Sequence, residues 1–238
     1  MPIDKVYPSC TEAVADIPDG ASIMIGGFTS IGGMPHQLIL ALRDQGAKGL
    51  TIIANGLGAD PTKKRKWNTI PEGDIGILAE NGQVKKGIAS FPVSPSASHP
   101  TAFEKLYLEG RVEVEALPQG TFCERMRIAA AGLGGFYTRV GVGTAVEEGK
   151  EKRVFDGQDY ILELPLRADY ALIKAHRADR MGNLVYKGTS RNFNPLMAAA
   201  AKVTIVQVEQ IVEIGGLDPE EIITPGVYVD RVVQQTDI

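Results

Sequence analysis

The sequence predicts one α/β domain, a mainly parallel sheet sandwiched by helices. Three observations lead there. Apolar bursts alternate with helically spaced apolar residues along the chain. A strand, a glycine-rich loop and a helix follow one another in Asp19–Pro35, and open α/β sheets bind ligands at such strand ends. No linker-like composition divides the 238 residues, a length suited to one domain.

The elements follow in order. Thr11–Ile17 reads as a short helix closed by Pro18. Asp19-Gly20 is a turn, Ile23–Ile25 the first strand, and Gly26-Gly27 opens the glycine loop. Those glycines tolerate positive φ and close approach to a ligand. A tight strand-to-helix turn without a ligand is the alternative. Pro35 suits a first helical turn, and Leu38, Ile39 and Leu42 place a helix over Pro35–Arg43. Leu50–Ala54 is a second strand ending at Asn55-Gly56, and Ile75–Leu78 a weaker apolar run. Gly87–Phe91 is a third strand, and Thr101–Glu109 is amphipathic. Val112–Ala116 is a strand closed by Pro118, with a helix over Thr121–Ala131. Tyr160–Leu164, Tyr170–Ala175 and Val203–Val208 are further strands, and Pro195–Lys202 a helix. Alternation of this kind implies a parallel sheet covered on both faces.

Composition narrows the classes. With 44% hydrophobic residues the chain can bury a sizeable core, and a net charge of -4 leaves no footprint for nucleic acid. Cys10 and Cys123 lie far apart and form no metal or redox motif, which fits a reducing, cytoplasmic setting. The opening Met1-Pro2-Ile3-Asp4-Lys5 lacks a signal peptide's apolar core. No apolar run approaches the roughly 20 residues of a membrane span. No P-loop, dinucleotide fingerprint or Gly-x-Ser-x-Gly elbow is present. His36, His99 and His176 show no metal-ligand spacing, so no metal is expected. His176, among Arg177, Asp179 and Arg180, reads as structural. The polar segment Gly56–Gly73 carries Lys63-Lys64-Arg65-Lys66 beside Trp67. It reads as a long polar loop, either a solvated surface or an attractor for an anionic substrate.

Several motifs stand in one order. Asp19-Gly20, Ile23-Met24-Ile25 and Gly26-Gly27-Phe28 come first. Leu117-Pro118-Gln119-Gly120-Thr121-Phe122-Cys123-Glu124-Arg125 and Ala168–His176 follow. Gly182-Asn183-Leu184, Arg191-Asn192-Phe193-Asn194 and Ile223-Thr224-Pro225-Gly226-Val227-Tyr228-Val229 complete the series. The series resembles the α subunit of the family I 3-oxoacid CoA-transferases and covers nearly the whole chain except Gly56–Gly73. Within that family the chain looks closest to 3-oxoadipate and succinyl-CoA:3-oxoacid (acetoacetate) transferases. It departs where Gly33 and Met34 separate Gly32 from Pro35, one residue more than the pattern allows.

The resemblance implies an open fold of the CoA-transferase α-subunit type and a CoA-transfer enzyme. CoA is then a co-substrate, and no cofactor is permanently bound. It also implies a β subunit, in an α2β2 assembly, that carries the nucleophilic glutamate in a Ser-Glu-Asn-Gly motif. The alternatives are an acyl-CoA hydrolase of the same fold and a non-catalytic ligand-sensing protein. Ala79-Glu80-Asn81-Gly82 mimics the glutamate motif but falls between two α-subunit strands, where it reads as a helix end turning at Asn-Gly. Gln119 matches the family's glutamine that donates to an oxyanion; a helix cap or turn is the alternative. Asn55 is a candidate for a substrate carboxylate or carbonyl. Gly26, Gly27, Gly32 and Gly33 are expected to line the substrate or CoA site, and Phe28 to shape the acyl pocket or simply to pack.

Overall fold

The computed structural model describes residues 4–28, 32–58, 74–94 and 98–236. Among these residues the main sheet runs β11-β10-β8-β1-β2-β3-β4, with β9 paired to β8. Its strands are β1 (Ser22–Ile25), β2 (Leu50–Gly56), β3 (Val84–Phe91), β4 (Glu113–Ala116), β8 (Ala168–Asp179), β9 (Leu184–Val185), β10 (Ala201–Val212) and β11 (Arg231–Gln234). Every neighbouring pair is parallel except β8–β9. From β1 the chain winds outward through β2, β3 and β4. From β8 it winds the other way. The direction of winding therefore reverses between β1 and β8, and the glycine loop leaves β1 at that switch, where such sheets open a crevice.

Alternate residues of each central strand enter two separate cores. Ile23, Ile25, Ile52, Leu172 and Ile205 face one. Met24, Ile53, Ala171, Ile173 and Val206 face the other. That is why these strands read as continuous apolar runs rather than as alternating ones. Helices α1 (Cys10–Val14), α2 (His36–Gln45), α3 (Gly76–Glu80) and α4 (Ala102–Leu108) carry residues of the first core. Helices α5 (Gln119–Ala130) and α6 (Asn194–Ala200) cover the second. No helix among the described residues is long and apolar enough to cross a membrane.

Three local differences from the sequence reading have physical causes. The weaker run Ile75–Leu78 is not a strand: Ile75 is the N-cap of α3 and the rest forms its first turn, where the Asp74 carboxylate accepts from Gly76 N–H at 2.8 Å. The helix expected through Lys202 stops at Ala200, where β-branched Val203, Thr204 and Ile205 take over in β10. Tyr160–Leu164 does not join the main sheet. It forms most of β7 (Gln158–Glu163), which pairs antiparallel with β5 (Phe136–Thr138) and β6 (Lys152–Phe155). Buried Glu163 fastens this small sheet. It pairs with Lys150 at 2.5 Å and lies 3.9 Å from Arg125 of α5. The segment 59–73, with Lys63–Lys66, lies outside the described residues, as does 29–31 of the lengthened loop.

Asp169 ties β8 to β1. Its carboxylate meets Lys202 Nζ at 2.8 Å and accepts from the Ser22 hydroxyl and N–H at 2.7 and 3.0 Å. Lys202 first, then Ser22, hold its carboxyl down at about 2. A depressed carboxyl stabilises the fold above its unfolded pKa of about 4 and loses that contribution as pH falls through the folded value. The pair is partly solvent-screened, so Asp169→Asn is expected to cost about 1 kcal/mol at pH 7. Urea melts at several pH values should show that gap closing between about pH 4 and pH 2.

Candidate active site

The carboxyl ends of β2, β3 and β4 bring three side chains together. Asn55 is the next-to-last residue of β2, Ser90 the next-to-last of β3, and Gln119 follows β4 as the first residue of α5. Ile53 and Ile88 face the second core. Asn55 and Ser90, two residues further along their strands, therefore face the same side, toward α5. Gln119 Nε2 donates to Asn55 Oδ1 at 2.7 Å, and Ser90 Oγ donates to the same oxygen at 2.8 Å. Asn55 is only 3% exposed. With Oδ1 accepting twice, its Nδ2 carries two buried N–H groups that meet no acceptor among the described residues. Gln119 is exposed and keeps a second amide N–H for a ligand.

The start of α5 adds backbone donors. Its first intrahelical bond runs from Phe122 N–H to the Pro118 carbonyl at 2.8 Å. The N–H groups of Gln119, Gly120 and Thr121 precede it, at the positive end of the helix dipole. A side chain at Gly120 would meet nothing within 4 Å, so ligand has room against this turn. Salt bridges fix the helix behind it. Arg125 contacts Glu115 of β4 at 3.3 Å, and Lys86 of β3 contacts Glu115 at 2.7 Å. Burial works against the Glu115 charge, yet Lys86 and Arg125 together hold its carboxyl below the ordinary range.

The glycine loop reaches the same edge one strand away, but its glycines are crowded by protein. A Cβ at Gly26 would lie 1.8 Å from Asn194 Oδ1. Gly27 has φ 107° and lies against Met34; Gly33 has φ 79° and lies against Asn194, Ser190 and Asn192; Gly32 has φ 128° and faces Thr189. Close approach does demand glycine at 26, 27 and 33, and the partner that approaches is this chain itself. Fully buried Asn194 is the hub. Its Oδ1 accepts from Lys174 N–H at 3.1 Å, and its Nδ2 donates to the carbonyls of Gly33 and Ser190 at 2.9 and 3.0 Å. Asn192 Nδ2 donates to the Gly32 carbonyl at 3.1 Å. The Arg191–Asn194 motif thus clamps the glycine loop. Phe28 stacks on Phe193 with centroids 6.0 Å apart, and Phe193 meets Phe122 of α5 edge-on at 5.6 Å. This aromatic row joins the loop to the helix that begins at Gln119.

Gly26→Ala is expected to lower stability by about 2–3 kcal/mol, because the buried Asn194 amide must leave its partners. In this size range that is a Tm drop of roughly 5–10 °C. The double variant Gly26→Ala/Asn194→Ala should melt no lower than Asn194→Ala alone, because the clash then has no second party. Scanning calorimetry of the three proteins checks this.

Two other sequence candidates lie apart from the cluster. Glu80 ends α3, is exposed, and leads through the Gly82 turn (φ 68°) into the amino end of β3. Ser90 sits six residues up that strand from Val84, about 20 Å away. Glu80 therefore occupies the opposite edge of the sheet. His176 Nδ1 lies 2.8 Å from a Glu209 carboxylate oxygen in a pair between strands β8 and β10. Ser90, Asn192 and Asn194 received no role from sequence. Two-residue periodicity from Ile88 places Ser90 on the Asn55 face, and that was its only signal.

Comparison with known proteins gives the same frame. A family model described as Coenzyme A transferase matches residues 7–235. The A-type subunit of the 3-oxoadipate CoA-transferase of Pseudomonas putida is 48% identical over 97% of this chain and 94% of its own length. The A-type subunit of a probable succinyl-CoA:3-ketoacid coenzyme A transferase of Bacillus subtilis is 47% identical over 96% of this chain and 89% of its own. A crystal structure of an E. coli O157:H7 acyl-CoA transferase, a thioester complex with CoA, matches with TM-score 0.81 and 25% identity over 98% of this chain. The present chain spans 47% of that one. With near-complete matches to these relatives and a family model spanning almost every residue, this chain belongs to the coenzyme A transferase family.

Proposed function

We propose that this chain is the donor-bearing α subunit of a cytoplasmic 3-oxoacid CoA-transferase, and that a β subunit supplies the nucleophilic glutamate. The observation that carries this is the cluster at the carboxyl edge. Buried Asn55 N–H groups, the spare Gln119 N–H and the first turn of α5 converge there, with no acidic side chain among them. Neutral donors suit an oxyanion without trapping a nearby carboxylate. The Ser-Glu-Asn-Gly motif itself is absent from the sequence.

The chemistry follows from those donors. The β subunit's carboxylate oxygen attacks the thioester carbonyl carbon, and the carbonyl electron pair moves onto oxygen. Gln119 and Asn55 hold that oxyanion. When the carbon–sulfur bond breaks, CoA leaves as thiolate and an acyl–glutamyl anhydride remains. The thiolate then attacks the glutamyl carbonyl, releasing the first acid and leaving a glutamyl–CoA thioester. The second acid reverses both steps. No net proton is consumed, and one hard exchange becomes several easier ones. CoA enters and leaves as co-substrate.

Succinyl-CoA as donor and 3-oxoadipate ahead of acetoacetate as acceptor are the preferred substrates. The relatives of nearly equal identity carry both kinds of name, so the preference rests on two departures from the family pattern. The lengthened loop Thr29–Met34 adds backbone N–H groups, and oriented N–H groups bind anions. Lys63, Lys64, Arg65 and Lys66 would pair the distal carboxylate of 3-oxoadipate, which is costly to bury unpaired. Acetoacetate ends in a methyl group there.

Co-expression with a β subunit, followed by CoA exchange from succinyl-CoA over a panel of 3-oxoacids, tests the reading. Exchange is expected. Release of free CoA thiol without any acceptor would instead make the protein a hydrolase, and neither exchange nor CoA release in the assembled protein would leave only a ligand-sensing role. Serine at all four of positions 63–66 should lower kcat/KM for 3-oxoadipate at least several-fold while that for acetoacetate holds. Equal effects on both acids would discard the basic run as a selectivity element.

A further inference from the structure

Asn55 can serve the reaction only with its amide turned one way round. With Nδ2 toward the acyl oxygen it donates; with Oδ1 there, two lone pairs oppose an oxyanion. Two groups hold the productive orientation by donating to Oδ1, Gln119 Nε2 at 2.7 Å and Ser90 Oγ at 2.8 Å. They differ in rigidity. Gln119 is exposed at a helix start, and its amide must also turn to substrate. Ser90 sits on β3, paired with β2 on one side and β4 on the other. Its oxygen also lies 3.2 Å from the Asn55 backbone carbonyl, so even the alternative hydroxyl rotamer stays on the same residue.

We propose that Ser90 is the positioning residue of this site, fixing the amide of Asn55 so that its N–H groups face the acyl oxygen while Gln119 is engaged with substrate. The proposal rests on the transferase reading and assigns a residue that reading does not need. Ser90 acts through Asn55, so its worth should vanish when Asn55 has no amide.

The test uses the assembled enzyme with its β subunit. Ser90→Ala is expected to lower kcat for CoA exchange about 10-fold with KM for the acyl-CoA within about twofold, because a lost preorganised donor costs the transition state more than binding. Ser90→Thr keeps the hydroxyl and suits a strand, and should recover kcat to within about twofold of the parent. Ser90→Cys keeps the volume with a weaker donor and should fall between them. In the Asn55→Ala background, Ser90→Ala should change kcat less than twofold. A Ser90→Ala kcat within twofold of the parent overturns the proposal. So does a threonine variant as slow as the alanine one, or a Ser90→Ala loss that persists undiminished without Asn55. A parent assembly that moves no CoA overturns the transferase reading and this proposal together; an active parent with unaffected serine variants overturns this proposal alone.

Discussion

Purified alone, this chain is expected to exchange no measurable CoA, and adding the β subunit should restore full turnover. Losing a covalent nucleophile lowers rates on the order of 10⁶-fold. The one internal candidate is Glu80, whose Ala79-Glu80-Asn81-Gly82 surroundings mimic the glutamate motif. The fold places it before the amino end of β3, whose first residue, Val84, lies about 20 Å along the strand from Ser90, while the donors stand at the carboxyl end. Its local sequence has a different explanation. Leu78 O, Ala79 O and the left-handed Gly82 close the end of α3, with Gln83 N–H and Gly82 N–H donating back at 3.0 Å each. Buried Gln83 then bonds the carbonyls of Leu42 and Ala47. Asn-Gly stands there to reverse the chain. Glu80→Gln in the assembled enzyme should therefore leave kcat unchanged within twofold. Robust exchange by the chain alone, lost in Glu80→Gln, would transfer the nucleophile to Glu80.

Gln119→Ala in the assembled enzyme should lower turnover on the order of 10²-fold, the usual loss for one oxyanion donor. Stability should change little, because the side chain is exposed and, among the described residues, its amide bonds only Asn55 Oδ1. KM should move far less than kcat, since the bond is strongest in the transition state. Gln119→Glu should be slower still. A carboxylate there repels both the oxyanion and the attacking carboxylate, and it also faces Asn55 Oδ1 with no proton to share. Steady-state kinetics of the three proteins on one acyl-CoA checks the order. An alanine variant as fast as the parent would move the donor role elsewhere, to Asn55 and the first turn of α5.

Much of this frame is legible in the sequence, for identifiable reasons. Ile23–Ile25 and Leu50–Ala54 read as strands because both faces of the sheet are covered, so nearly every residue is apolar. Asn55 stands out because a polar residue ends the second of those runs, and Gln119 because its motif resembles a known family. Three kinds of feature leave no local trace. The boundary between α6 and β10 falls inside Ala198–Ala201, and alanine carries no stop signal. In the small sheet β7 does read as a strand, at Tyr160–Leu164, but β5 and β6 are only three and four residues long, and the exposed charges of β6, Lys152 and Arg153, mask the pattern. Gly26 is glycine because Asn194, 168 positions later, fills its side-chain space. Sequence shows the glycine but not who needs the room. Ser90 belongs to the same class, since its meaning depends on a strand pairing, β2 with β3.

The most direct test of the division of labour is the mass of each chain during turnover. The assembled enzyme is mixed with acyl-CoA without an acceptor acid, quenched in acid and separated, and both chains are weighed intact. The account predicts an unmodified mass for this chain and one CoA, held as a thioester, on the β subunit. A CoA adduct on this chain, mapped by peptide digestion to Glu80 or to any other carboxylate, would contradict it.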